Sequence, residues 1–115
     1  MAMKKIEAII RPEKLEPVKL ALIAAEVTGL HVENVVGHGN QRGVVHTSRG
    51  GESYVIDMLP KVKVVTVVSD WNVDNVVKVI VETAATGNIG DGKIFVSDIE
   101  EAIRVRTGER GNDVL

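Results

Sequence analysis

The sequence predicts an α+β domain with the element order β-α-β-β-α-β. Three observations carry that expectation. Apolar residues recur at helical spacing in two places, Leu15, Val18, Leu22 and Ala25, then Val73, Val76, Val77, Ile80 and Ala84. Short runs rich in valine and isoleucine flank both stretches. The chain has 115 residues, 44% of them hydrophobic, which suits one domain (1–115) with a single core.

The elements follow in order. Residues 4–10 place Ile6 and Ala8 on one face before an apolar end, a strand pattern. Arg11-Pro12 opens a helix, because proline suits a first turn whose N–H lacks a helical partner. That helix is expected from Glu13 to Glu26, closing near Thr28-Gly29. His31 to Gly37 reads as a second strand. Residues 39–54 hold four glycines and little periodicity, which marks a long excursion. Tyr54 to Ser69 is rich in β-branched residues around Pro60, giving two strand segments or one long strand with an irregularity. Ser69 or Asp70 can cap the second helix, which ends at Thr86-Gly87. A glycine-rich segment, 88–93, leads to a short strand, Ile94 to Val96. Ser97 or Asp98 is expected to cap one helical turn over 99–102. Ile103, Val105 and Thr107 alternate with Arg104 and Arg106 as a last short strand, and the tail from Gly108 reads as polar and mobile. The whole is a ferredoxin-like sandwich, one antiparallel sheet with two helices on one face. Its other face reads as rich in valine and isoleucine and uncovered, so a homo-oligomer is expected.

Composition narrows the function. Cysteine is absent, which removes disulfides, thiol nucleophiles and thiolate metal sites. With 14 basic and 16 acidic residues the net charge is −2, against a dedicated nucleic-acid binder. No apolar run has membrane-spanning length and no secretory h-region opens the chain, so the expected compartment is the cytoplasm.

Four groups suit phosphate or a carboxylate ligand. The first is Thr86-Gly87-Asn88-Ile89-Gly90-Asp91-Gly92-Lys93, where glycines allow amides to approach an anion and Lys93 adds charge. It lacks the P-loop spacing, and taken alone a helix cap followed by a glycine turn is the plainer account. The second is Arg104-Val105-Arg106, whose guanidinium groups would share a face on a strand and could grip a polyphosphate; two solvated arginines are the plainer account. The third is Gly37-His38-Gly39-Asn40-Gln41 at the root of the long loop, where Gln41 could complete a Mg²⁺ shell or the segment could simply be a hinge. The fourth is Lys61, a partner for a carboxylate or an ordinary strand lysine. His31, His38 and His46 have no metal-binding spacing, and no nucleophile–base set is visible.

Taken together these residues resemble the PII signal-transduction family. The likeness lies in Gly90-Asp91-Gly92-Lys93-Ile94-Phe95-Val96 and Arg104-Val105-Arg106-Thr107-Gly108-Glu109. It extends to Met3 through Pro12, to Val27-Thr28-Gly29-Leu30 and to Leu59-Pro60-Lys61-Val62-Lys63, nearly the whole chain. The resemblance implies a homotrimer that binds ATP or ADP in clefts between subunits, in some members with Mg²⁺ and 2-oxoglutarate. It also implies a T-loop, here about 39–54, that docks onto a transporter, an enzyme or a transcription regulator, with recruitment to the membrane where the partner is a transporter.

Carried over by position, Gly90, Asp91, Gly92 and Lys93 match the family's phosphate loop and Arg104 and Arg106 the arginines that reach the phosphates; Thr86, Gly87 and Ile89 are expected to join the nucleotide site. Gly37, Gly39 and Asn40 lie at the loop root. Gln41 matches the residue for Mg²⁺ and 2-oxoglutarate, and Lys61 the partner of that ligand's distal carboxylate. Ile9 and Val67 match apolar walls near the adenine. Tyr54 aligns with a tyrosine that some members nucleotidylate, though its surroundings differ and a tyrosine at a strand start explains it as well.

Departures bear on the ligand. Asn40 stands where an arginine is common, a loss of one charge-assisted contact worth about 1.5–3 kcal/mol. His31 replaces a threonine near the adenine, His38 an aromatic, Asn88 a lysine and Val65 an acid. The loop has one extra residue and an unusual centre, Val44 to Ser48. The expectation is a non-catalytic sensor of adenine nucleotides with weak preference for ATP over ADP. For 2-oxoglutarate, Gln41 and Lys61 argue in favour and Asn40 against. The competing readings are a slow ATPase using the same cleft, for which no base is evident, and a structural trimer with relic sites.

Overall fold

The computed structural model describes residues 2–37, 45–47, 53–55 and 59–115. Four strands form one sheet in the order β2-β5-β1-β6: β1 (Met3–Ile10), β2 (His31–Gly37), β5 (Leu59–Ser69) and β6 (Gly92–Ile99). Every neighbouring pair is antiparallel. Two short strands, β3 (Val45–Thr47) and β4 (Ser53–Val55), pair separately inside the long loop. Helices α1 (Leu15–Ala24) and α2 (Val73–Ala84) make the predicted crossovers.

The register explains the core. Ile6 lies opposite Thr66 and Val96, Ala8 opposite Val64 and Ile94, and Ile10 opposite Val62 and Gly92. Partners across a ladder share a face, so these rows form one surface under the helices. Val18 and Leu22 of α1 and Val76, Ile80 and Ala84 of α2 close onto it, all buried. With few aromatics, β-branched and leucine side chains supply nearly all of this packing.

Helix α1 is shorter than the periodicity suggests. A 3₁₀ turn over Pro12–Lys14 precedes it. It ends where Glu26 takes φ +67°. The Val27 amide donates to the Leu22 carbonyl at 3.0 Å and the Glu26 amide to that of Ile23 at 3.1 Å, a Schellman closure made without glycine. Val27 and Leu22 are both in the core, so burial at this cap offsets the left-handed backbone of Glu26.

The 54–69 stretch falls in β4 and β5, with Pro60 the second residue of β5, where among the described residues β1 offers no partner, so the edge irregularity read there is compatible with the ladder. Three expectations need correction. β6 extends to Ile99, so Ser97 and Asp98 cap nothing; Asp98 instead sits opposite Lys4 and ion-pairs with it. Residues 103–107 are not a strand: only Ile103 bridges to Arg110, and Val105 to Thr107 turn. The Gly108 amide donates to the Arg104 carbonyl at 2.7 Å, and Gly108 has φ +75°. The tail also docks: Ser69 Oγ donates to Asn112 Oδ1 at 2.7 Å, and Val114 and Leu115 are half-buried.

The face away from the helices is mixed rather than purely aliphatic. It carries Ile9, Val65, Val67 and Phe95 but also the pairs Lys5–Glu7 at 2.7 Å and Lys63–Glu33 at 3.6 Å. The hydrogen bond from Lys5 holds the Glu7 carboxyl below its ordinary value. Among the described residues no helix is long and apolar enough to cross a membrane.

Leu22 is fully buried at the α1 closure. Leu22→Ala is expected to cost about 2–5 kcal/mol of stability, read as a lowered urea midpoint.

Candidate functional site

The segment between α2 and β6 is organised around one carboxylate. Asp91 Oδ2 accepts from the amides of Thr86 at 2.7 Å and Gly87 at 3.0 Å. Its Oδ1 accepts from Thr86 Oγ1 at 2.5 Å and from Arg11 Nε at 3.0 Å. The Thr86 hydroxyl in turn accepts from the Asn88 amide at 3.2 Å. These donors, the Thr86 hydroxyl foremost, outweigh partial burial and hold the Asp91 carboxyl far below the usual carboxylate range. Gly87, Gly90 and Gly92 all have positive φ, so the chain turns tightly around the carboxylate.

Two cations from the neighbouring strand ends brace the same loop. Arg11 Nη2 donates to the Ile89 carbonyl at 3.0 Å. Lys61 Nζ donates to the Gly90 carbonyl at 2.5 Å. Lys61 is only 8% exposed, and burial together with the nearby Arg11 charge depresses its pKa. A carboxylate ligand on Lys61 would have to compete with that carbonyl. Lys93 is exposed and has no ion pair among the described residues. Ile9 lies directly opposite Lys93 in the ladder, so an apolar side chain accompanies the free charge.

Arg11 is the residue that sequence reading missed; it stood there only as the residue before a helix-starting proline. The available signal was charge balance, because Asp91 inside a glycine loop needs a cation nearby.

A second site element lies elsewhere on the molecule. A cleft of about 440 Å³ is lined by Thr28, Gly29, Leu30, His31, Val65, Thr66, Val67, Val114 and Leu115. Thr66 Oγ1 donates to the Gly29 carbonyl at 2.6 Å and fixes the 28–30 segment beside β5. His31 sits at the rim, its Nε2 3.7 Å from Glu33. Val67 therefore falls in this cleft and Ile9 in the other region, so the two expected apolar walls are not together in one chain.

Arg104 borders this second element. Its Nη1 donates to Glu109 at 2.9 Å and its Nη2 to the Asp113 carbonyl at 3.1 Å. Arg106 is exposed and unpaired among the described residues. Because the segment turns, the shared strand face expected for the two arginines does not exist. Thr107 Oγ1 accepts from the Glu109 amide at 3.2 Å and helps close that turn. Gly37 ends β2, and Tyr54 pairs with His46 in the β3–β4 ribbon. Gly39, Asn40 and Gln41 lie outside the described residues.

The phosphate-loop candidate and the arginine turn are joined by β6, which begins at Gly92 and ends at Ile99. The eight residues of β6 span about 23 Å, so the two segments leave the sheet at opposite ends of that strand. The described residues hold this division alongside a family match: "Nitrogen regulatory protein P-II" fits residues 3–109. The chain belongs to the P-II family. It is 56% identical to "Nitrogen regulatory protein P-II 2" of Methanothermobacter thermautotrophicus, over 98% of this chain and 97% of that protein. It is 52% identical to the P-II protein of Pasteurella multocida and 53% to that of Rhizobium meliloti, over 98% of this chain and all of each relative. The resemblance read from the glycine loop and arginine segment therefore holds, and this is a P-II signalling protein by homology.

Two expectations follow from the loop of this P-II chain. A Cβ added at Gly92 would lie 1.7 Å from the Ile9 carbonyl oxygen, at φ +109°. Gly92→Ala is therefore expected to cost about 2 kcal/mol or more in urea denaturation. Asp91→Asn should cost about 1–3 kcal/mol at neutral pH. The folded-state pKa is depressed, so Asp91's contribution is fully present above the unfolded value of about 3.9 and is lost as pH falls from there through the folded value. Unfolding curves of the two proteins should accordingly converge at low pH.

Proposed function

We propose that the protein is a non-catalytic P-II sensor that binds ATP and ADP between the subunits of a homotrimer. The single observation that carries this is the division into two complementary halves. One half offers a braced glycine loop and the exposed Lys93. The other offers a cleft with apolar walls and a polar rim, and the exposed Arg106 in the turn that Arg104 ties to Asp113, beside the cleft residue Val114. Its volume of about 440 Å³ is within the range for small-molecule sites. The halves are too far apart in one chain to hold one nucleotide, so a site using both draws them from neighbouring subunits. The mixed face of the sheet, with Val65, Val67 and Phe95 beside paired charges, suits burial against those subunits.

On this reading the phosphates lie on Gly90, Asp91, Gly92 and Lys93, with Thr86, Gly87 and Ile89 shaping the loop. Arg104 and Arg106 of the adjacent subunit reach across, and the base lies in the cleft beside Val67. Gly37, Gly39, Asn40 and Gln41 lead to the T-loop, which reports the bound state to a partner such as a transporter or a metabolic enzyme. Gln41 would help hold Mg²⁺ with ATP. A ligand shifts the loop only through different affinity for its states, and ATP and ADP differ only in the terminal phosphate and its metal. With Asn40 at that position, discrimination is weak. The engagement of Lys61 with Gly90 supports sensing of energy state without 2-oxoglutarate. The relatives' names describe regulators, which favours this role over slow hydrolysis of ATP.

The test uses two variants, Lys93→Ala and Arg106→Ala, whose defects lie in different halves. Calorimetry should show ADP binding to the parent protein and loss of it in each variant alone. Co-refolding the two variants should restore a fraction of the sites, because some mixed interfaces pair an intact loop with an intact arginine turn. Absence of binding to the parent, or failure of the mixture to recover any, overturns the proposal.

A further inference from the structure

We infer that Arg11 and Lys61 are positioning residues for the anion: by holding the carbonyls of Ile89 and Gly90, they turn the amides of Gly90 and Asp91 outward as a pair. This rests on the nucleotide reading above. A trans peptide unit is planar, and its carbonyl and N–H point in opposite directions. The Ile89 carbonyl shares its unit with the Gly90 amide, and the Gly90 carbonyl with the Asp91 amide.

Both carbonyls are held from one flank. Arg11 directly follows β1, Lys61 lies in β5, and the Ile10–Val62 register makes these positions neighbours. The two amides therefore aim away from that flank. Successive units in an extended strand alternate; bringing two into parallel here uses the φ of +103° at Gly90. Neither amide has an acceptor among the described residues, whereas those of Thr86, Gly87 and Asn88 do. Adjacent amides aimed together form an anion-binding nest. Lys93 follows two residues later and adds a free charge.

Energetics separate this role from simple stabilisation. Lys61 is a buried ammonium whose hydrogen-bond acceptor is a neutral carbonyl; burial and the Arg11 charge together outweigh the nearby carboxylates of Glu13 and Asp91. Taking an ammonium out of water is costly, and an apolar side chain of similar length generally does better in such a place. The position is explained by what the ammonium orients.

The experiment follows backbone amide resonances of isotopically labelled protein during titration with ADP, pyrophosphate and adenosine. In the parent, ADP and pyrophosphate should move Gly90 and Asp91. Lys61→Met should leave thermal stability equal or higher yet weaken ADP by about tenfold or more, with adenosine unaffected. Arg11→Gln should weaken ADP in the same selective way, with part of the loss recovered in Arg11→Lys; should Arg11→Gln not fold, Lys61→Met carries the test. Unchanged ADP affinity in Lys61→Met, or equal losses for ADP and adenosine, overturns the inference. ADP binding without movement of Gly90 and Asp91 overturns it too while leaving the nucleotide reading intact. Pyrophosphate responses without ADP binding would remove the nucleotide reading and keep the braced nest, and silence towards both would remove both.

Discussion

The loop geometry depends on the carboxylate of Asp91. It receives two backbone amides and a hydroxyl from the exit of α2 and a guanidinium from the end of β1. One side chain thus joins the helix, the first strand and the start of the last strand. Its charge is stabilised by these four donors, the Thr86 hydroxyl foremost, which is why its pKa falls so far despite partial burial. Without that anchor the three positive-φ glycines would leave the segment with many conformations and little reason to choose one. With it, the glycines supply the shape and the carboxylate supplies the restraint.

The opposite end of the sheet uses the inverse arrangement, a cation that organises carbonyl and carboxylate oxygens. Arg104 spans Glu109 and the Asp113 carbonyl, and the Arg104 amide and carbonyl both bond across the turn. The tail is thereby drawn to Ser69 and to the cleft that Val114 and Leu115 help line. Arg104 bonds within its own chain, whereas Arg106 has no partner among the described residues. The pair is therefore unequal, a distinction that spacing in the sequence conceals.

The legible part of the structure was the part set by periodicity. Both helices, the four sheet strands and the core rows on Ile6, Ala8 and Ile10 follow from apolar spacing, because burial of one face leaves little choice of register. Misreadings came where a local pattern met a stronger tertiary term. The alternation of Ile103, Arg104, Val105 and Arg106 imitates a strand, but Gly108 at positive φ and the Arg104–Glu109 contact close it into a turn. Ser97 and Asp98 resemble a helix cap, yet pairing with Lys5 and Lys4 across the ladder keeps them extended. In the site, glycine and lysine were visible as types. Arg11 was not, because its role depends on β1 and β6 being neighbours, which no local signal states.

The same register links the nest to the long loop. Gly37, where β2 ends, lies opposite Leu59, where β5 begins, so the excursion leaves and re-enters the sheet at one point. Lys61 is two residues beyond Leu59 and bonds the Gly90 carbonyl. The path from anion to loop root is therefore short: a peptide unit, an ammonium and two residues of strand. In the proposed site, a ligand that loads the Gly90 and Asp91 amides would engage the unit whose other end Lys61 holds. Among the described residues, strand β5 is paired on both sides from Val62 to Val65 but only with β2 at Leu59 to Lys61. The ammonium thus sits on the stretch of β5 that one ladder alone restrains, between the doubly paired core rows and the residue where the loop re-enters the sheet.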